Sequence, residues 1–445
     1  MSVTAFQADL KPMSDFPKTI RNPERGSYRC LLFGLILLSC STPSLADNGF
    51  GHWSAYLSDT PLPQPNRALY LASKLTPGPL RQAIESCDSG LEPHRFSIAH
   101  RGAPALFPEH TRESYLAAAR QGAGVIECDV TFTKDGELVC RHSQCDLHRT
   151  TNILETPLRE KCRTPFRGAG DDQPASVECC TSDLTLAEFR SLCGKHDTAN
   201  PDAKTRAGYM HGARTLAPQQ YPGCGTLMTL SDSIELISRL DRAHAPELKA
   251  ADAQLPYSQT AYAQLLIDHY NDHNIAPENV FVQSFNPEDV AYWLRAAPEF
   301  GRQALLLDSR DAHIDIKDPS DPGVAGVGPS FAALRAMGVR FLAPPLYFLI
   351  RNENGVMVPS DYAKQARAAG LQLVAWTLER SGPIADLIKH RDGRTYYYRT
   401  VVDALKDEGD VLRVLHLLAS EVGVSGVFSD WPETTTTYAN CVLER

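Results

Sequence analysis

Positive charge is in deficit in this 445-residue sequence. Its 44 lysine and arginine residues against 53 aspartate and glutamate residues leave a formal net charge of −9, which excludes a general affinity for nucleic acid. No C-x-x-C pair occurs, and the cysteines lack zinc-site spacing. There is no N-x-S/T sequon, no P-loop and no G-x-S-x-G, and no internal repeat. The apolar run Leu31–Leu38 (LLFGLILL) is too short to span a hydrocarbon layer of ~30 Å. Disorder is excluded too, because hydrophobic residues make up 43% and charged residues 22%, an ordinary globular balance. The length fits two or three units, or one large α/β barrel carrying an insertion.

The N-terminus is informative. Lys18, Arg21, Arg25 and Arg29 precede the apolar run, and Ser44-Leu45-Ala46 is a small-x-small site followed by Asp47. Residues 1–46 read as a secretory signal cleaved after Ala46. A second reading takes Leu37-Leu38-Ser39-Cys40 as a lipoprotein site, with Cys40 as a lipid-bearing N-terminus. Met13 would give a signal of more usual length. The expected location is exported, periplasmic or extracellular. Without residues 1–46 the chain carries −11 and ten of its twelve cysteines. Eight of these lie between Cys128 and Cys224, so a disulfide framework concentrated in one region is expected.

Residues 47–95 form an N-terminal extension, Pro-rich at first (Pro61, Pro63, Pro65), with a short helix near Leu80–Ser86. Strands and helices alternate from Phe96 onward. Strands are expected at Phe96–Ala99 and Val125–Val130, then Leu138–His142 after an Asp135-Gly136 hairpin turn. Others follow at Ala245–Leu248, Val280–Ser284, Ala304–Leu307, Phe341–Ala343, Leu371–Thr377 and Gly426–Ser429. Helices include Arg112–Gln121, N-capped by Thr111, Thr260–Asn271, Asp361–Ala369 and Asp410–Val422. Leaving out the hairpin strand, the count is eight βα units: an α/β fold, a (β/α)8 TIM barrel over 96–435 with a tail at 436–445. The Cys-, Thr-, Pro- and Gly-rich stretch 143–226 interrupts that rhythm and reads as a cysteine-rich insertion.

Polar residues collect at the strand ends. His100-Arg101-Gly102 closes the first strand, Glu127-Cys128-Asp129 lies on the second, His142 ends the hairpin and Glu247-Leu248-Lys249 closes the next. Residues two apart share a face. Glu127 pairs in this way with Asp129, and Glu247 with Lys249, while Cys128 points toward the helices. Three carboxylates at a barrel mouth would repel one another unless a cation neutralised them, and hard oxygen ligands suit Ca2+ or Mg2+.

The run HRGAPALFPEHTRESYLAAARQGAGVIECDVTFTKDGELVCRH resembles the glycerophosphodiester phosphodiesterase family, which has H-R-G-A, P-E-N-T, E-x-D, K-D-G-x-L-V and a following His in this order. PELK (Pro246–Lys249), QSFN (Gln283–Asn286), AWTL (Ala375–Leu378) and SDWP (Ser429–Pro432) fall where that family has similar blocks. The cysteine-rich stretch resembles a secreted branch of it. The resemblance implies metal-assisted cleavage of glycerophosphodiesters to glycerol 3-phosphate and an alcohol. It implies Glu127, Asp129 and Glu247 as ligands of one divalent cation, and His100 and His142 as the acid/base pair. Arg101 and Lys249 would meet phosphate, and Trp376 would wall the pocket. The nucleophile is left open between water and the substrate's own 2-hydroxyl. One departure is His110, where the commoner form has Asn; it is expected to touch that loop's hydrogen bonding rather than the core site. His110, His148 and His211 are expected to be structural or surface residues. The alternatives are a phospholipase-type barrel acting on intact lipids, and a non-catalytic module binding lipid headgroups. The second would predict loss of a site residue, and none is lost.

Barrel closure makes the first and last strands neighbours, so Cys87 and Cys441 are expected to pair across that seam. The other cysteines would staple the insertion, which is expected to have too few apolar residues to hold itself by a core alone and to rise from the catalytic mouth, restricting which diesters enter.

Overall fold

The computed structural model describes residues 67–444 apart from 213–220, 222, 251–256, 309, 311–327 and 391–392. The expected signal segment, the Cys40 site and the Pro61–Pro65 stretch lie outside these residues. Eight parallel strands close into a barrel: β1 (His94–Ala99), β2 (Ala123–Phe132), β4 (Ala243–Leu248), β5 (Gln283–Ser284), β6 (Leu305–Leu307), β7 (Phe341–Ala343), β8 (Gln372–Leu378) and β9 (Gly426–Ser429). The ring closes where β1 pairs with both β2 and β9. β3 (Leu138–Cys140) runs antiparallel against β2, joined to it by the turn at Gly136, whose φ is +86°.

Local chemistry accounts for the segmentation. Thr111 caps the helix Arg112–Arg120 by accepting from the Ser114 N–H, Ser258 caps Gln259–Asp272 and Ser360 caps Asp361–Ala368. β2 is buried along its whole length, as a strand covered by helices on one face and barrel interior on the other must be. β5 is shorter than the apolar run Val280–Ser284, whose first residue makes only an isolated bridge to His244. The helix from Asp410 keeps α-helical bonding to Leu417 and then widens to Val422, ending at Gly423 with φ +71°.

The bond between Cys87 and Cys441 is present, with a Cα–Cα distance of 5.6 Å. Cys128 points away from the barrel interior and is bonded to Cys140 across the β2–β3 hairpin. Cys145–Cys180, Cys162–Cys179 and Cys193–Cys224 staple the insertion. Beside these bridges the insertion has a core of its own. Leu147, Ile153, Leu154, Leu184, Phe189, Leu192 and Met210 bury one another, joined by Val139 and Leu227 from its flanks. The apolar residues are sparse in sequence but converge once the bridges and two short ribbons (164–167 with 176–178, 193–194 with 225–226) fold the segment back on itself. Among the described residues no helix is long and apolar enough to cross a membrane.

Candidate active site

Register brings the acidic residues together. Asp129 on β2 lies opposite Glu247 on β4, and Glu247 lies opposite Gln283 on β5; Glu127 is one inward-facing position below Asp129. Oxygens of Glu127, Asp129 and Glu247 all lie within 4.8 Å of one another, and all three residues are buried. Each is oriented by a neighbour. Glu127 accepts from the Arg101 backbone N–H at 2.9 Å and from Gln283 Nε2 at 2.8 Å. Asp129 Oδ2 accepts from His110 Nε2 at 2.9 Å. Glu247 Oε1 receives Lys249 Nζ at 2.5 Å. Burial, then repulsion from Asp129 and Glu247, raises the Glu127 carboxyl well above the usual range. Burial pushes Glu247 up to about 7 against the pull of Lys249. For Asp129 the cost of burial is outweighed by Lys249, His110 and Arg101, and its proton affinity is held well below normal.

The rest of the site sits on the loops that leave the strands. The turn after β1 carries His100 and Arg101, the latter with φ +59°. Gly102 at φ +95° completes it, since a Cβ there would meet Ser114 Oγ at 2.3 Å. His100 Nδ1 is 2.6 Å from Asp430 Oδ1, so its Nδ1–H donates to that carboxylate, and Nε2 accepts from Arg101 Nε at 3.2 Å. Burial and the Arg101 charge lower His100 to about 4, against the attraction of Asp430. His142, half-buried by the cavity, is pushed well below normal by desolvation and then by Arg101 and Lys249. Glu109 is shared by Arg101 (3.1 and 3.2 Å) and Arg380 (3.3 Å). These two guanidiniums overcome burial and hold the Glu109 carboxyl well below its normal range.

His100, Arg101, Glu127, His142, Glu247, Lys249 and Trp376 all line one cavity of about 70 Å3, walled further by Phe285, Leu307, Thr377, Tyr397 and Phe428. Asp129 completes the carboxylate cluster and is hydrogen-bonded to His110. Trp376 donates Nε1–H to the Ala343 carbonyl at 2.7 Å and meets Phe285 and Tyr397 edge-on. Lys249 is held by Glu247 and lies 5.7 Å from the Phe285 ring centroid. His148 packs beside Tyr209 and His211 is exposed near Glu155, as expected of structural and surface residues. His110 departs from its expectation: it is fully buried and bonded to Asp129, so the substitution reaches the core site.

A family model described as the glycerophosphoryl diester phosphodiesterase family matches residues 100–434, about three-quarters of the sequence. The chain belongs to the glycerophosphoryl diester phosphodiesterase family. It is 48% identical over 255 residues to a glycerophosphodiester phosphodiesterase of Bacillus subtilis, covering 57% of this chain and 74% of that one. It is 40% identical over 252 residues to an extracellular protein of Arthroderma benhamiae, covering 55% and 98%. A crystal structure named for the same family, from Silicibacter pomeroyi, aligns with a TM-score of 0.50 at 18% identity, covering 80% and 96%; this likeness shows the barrel fold.

Sequence reading missed four residues of this phosphodiesterase-family site besides His110. Glu109, Gln283 and Asp430 stand inside the PEHT, QSFN and SDWP blocks, and that membership is the signal that could have singled them out. Arg380 has no such signal. It follows β8 and bonds Asp430 at 3.2 Å, Glu109 at 3.3 Å and Asp197 at 3.5 Å. Asp197 belongs to the insertion, which therefore reaches the catalytic mouth.

Proposed function

We propose that this protein hydrolyses glycerophosphodiesters to glycerol 3-phosphate and an alcohol. The observation that carries the reading is the convergence of three carboxylates, two imidazoles, Arg101 and Lys249 on one cavity at the carboxyl ends of the barrel strands. The three carboxylates fit a hard divalent cation, Ca2+ or Mg2+. Their donors are all oxygen, and the buried Asp129 Oδ1 has no hydrogen-bond partner. Glu127, Asp129 and Glu247 would hold the ion, which when bound supplies Lewis-acid stabilisation of charge on a non-bridging phosphate oxygen.

The chain's own groups account for the rest. Arg101, braced by Glu109, and Lys249 attract and orient the phosphodiester anion. His100 and His142 form the acid/base pair. Asp430 fixes His100 with Nδ1 protonated, leaving Nε2 to exchange a proton with the reacting groups. Burial and the adjacent cations oppose protonation of both rings. A bound anion offsets those cations and raises the proton affinity of both rings, so one can take the proton of the attacking hydroxyl while the other delivers one to the leaving alcohol. The cavity is large enough for a phosphoryl group, and the aromatic wall of Trp376, Phe285 and Tyr397 borders the path outward. The insertion narrows that path, and its disulfides support export to an oxidising compartment.

The test is release of glycerol 3-phosphate from a panel of glycerophosphodiesters, with and without EDTA. Release that EDTA abolishes and added Ca2+ or Mg2+ restores is expected. No release from any member of the panel in the presence of these ions would overturn the reading.

A further inference from the structure

Position 110 carries an imidazole placed to act on one of the three carboxylates. His110 has φ +53°, in the left-handed region that few side chains occupy, and Asn more readily than His. Three hydrogen bonds hold it there. Its N–H donates to the Arg101 carbonyl at 3.0 Å, its Nδ1 lies 3.1 Å from Tyr115 Oη, and its Nε2 lies 2.9 Å from Asp129 Oδ2. The proton positions follow from the partners. A carboxylate can only accept, so Nε2 carries the hydrogen; Nδ1 of the neutral ring is then an acceptor, and the Tyr115 hydroxyl donates to it.

The effect falls on Asp129. Its Oδ2 is pinned by His110, with Arg101 Nε a further 3.5 Å neighbour. Its Oδ1 is buried and has no hydrogen-bond partner. A carboxylate pinned through one oxygen cannot turn about its terminal bond, so the partnerless Oδ1 is fixed too, in a carboxylate that has an oxygen within 4.8 Å of oxygens of Glu127 and Glu247. We propose that His110 is the positioning residue of the cation site: by donating Nε2–H to Asp129 Oδ2, while Nδ1 accepts from Tyr115, it reserves Oδ1 for a divalent cation. This rests on the cation reading given above. An Asn at 110 could not do the same, because both its polar atoms sit on one carbon at the distance of Nδ1. It can meet Tyr115 but falls short of Asp129. A Gln amide reaches the distance of Nε2.

That difference in reach supplies the test. Binding of Ca2+ and of Mg2+ is measured by titration calorimetry on wild type, His110→Asn and His110→Gln, each shown by thermal unfolding to be folded. His110→Asn should bind the ion 10- to 100-fold more weakly, the usual consequence of removing a group that orients a ligand. His110→Gln, which keeps a donor to Asp129, should stay within about threefold of wild type on the same reasoning. Equal affinity in wild type and His110→Asn would overturn the role of His110 and leave the cation site standing. An equal loss in both variants would assign the effect to lost imidazole packing and overturn it too. Absence of binding to wild type would overturn the cation site and this role together. If His110→Gln does not fold, the comparison of wild type with His110→Asn decides alone, since Asn tolerates the backbone conformation.

Discussion

Replacing Cys87 and Cys441 together by alanine removes a bridge that closes a loop of 354 residues. Treating the bridge as a restraint on the unfolded chain, that length gives about 6 kcal/mol of stability at 25 °C. The other bridges shorten the effective loop, because Cys128–Cys140, Cys145–Cys180 and Cys193–Cys224 excise 12, 35 and 31 residues. About 280 residues remain, and since the dependence is logarithmic the figure falls only to ~5.6 kcal/mol. The native state should change little. The seam keeps the hydrogen bonds from Asn440 Nδ2 to the Gly90 and Glu92 carbonyls, both 3.1 Å, and the packing of Phe96 on Tyr438. The double variant should therefore fold with wild-type circular dichroism, unfold at much lower urea, and show a larger m-value because its unfolded chain expands further. Urea titration of both proteins under non-reducing conditions checks this. A loss below about 1 kcal/mol with an unchanged m-value would refute the reasoning, because the unfolded chain would then gain no freedom from losing the bridge.

Other outcomes follow from the site. Glu127→Gln and Asp129→Asn should lose diesterase activity and divalent-cation binding together, measured by product release and calorimetry; full activity of chelated, metal-free wild type would contradict this. His100→Ala and His142→Ala should each lower kcat by about 10²–10⁴ while the circular dichroism stays native, and near-normal turnover would remove that residue from the mechanism. Asp430→Asn, which takes away the acceptor of the His100 Nδ1–H, should lower kcat by at least about tenfold with KM little changed; a changed KM alone would assign Asp430 to substrate binding. Burial, then His273, lowers His244 to about 3. A depressed folded-state pKa means that its stabilising effect is complete above about 6.5 and is lost as pH falls toward 3. Between those values wild-type stability should fall by up to ~1.4 kcal/mol per pH unit more steeply than that of His244→Asn, read from urea midpoints; identical slopes would exclude the effect.

Much of the molecule follows from its sequence alone. Alternation of short apolar runs with helices specifies eight βα units, because burial on both faces demands apolar strands and Thr111, Ser258 and Ser360 mark helix starts as caps. Phe341–Ala343 and Gly426–Ser429 appear with the bounds read from the residues. Period two along a strand places Glu127 and Asp129 on one face and sends Cys128 to the other, since that alternation is a property of the backbone. Strand register was beyond such reading. Only the closed barrel sets Asp129 beside Glu247 and Glu247 beside Gln283, residues far apart in the chain. The second layer of the site was hidden for the same reason: Asp430, Arg380 and Glu109 gain their meaning from hydrogen bonds formed across loops of different strands. His110 shows the limit most plainly. As an isolated histidine in a loop it reads as a satisfied structural residue. Its left-handed backbone and the fold of the turn after β1 are what carry its ring to Asp129, and no local pattern encodes that distance.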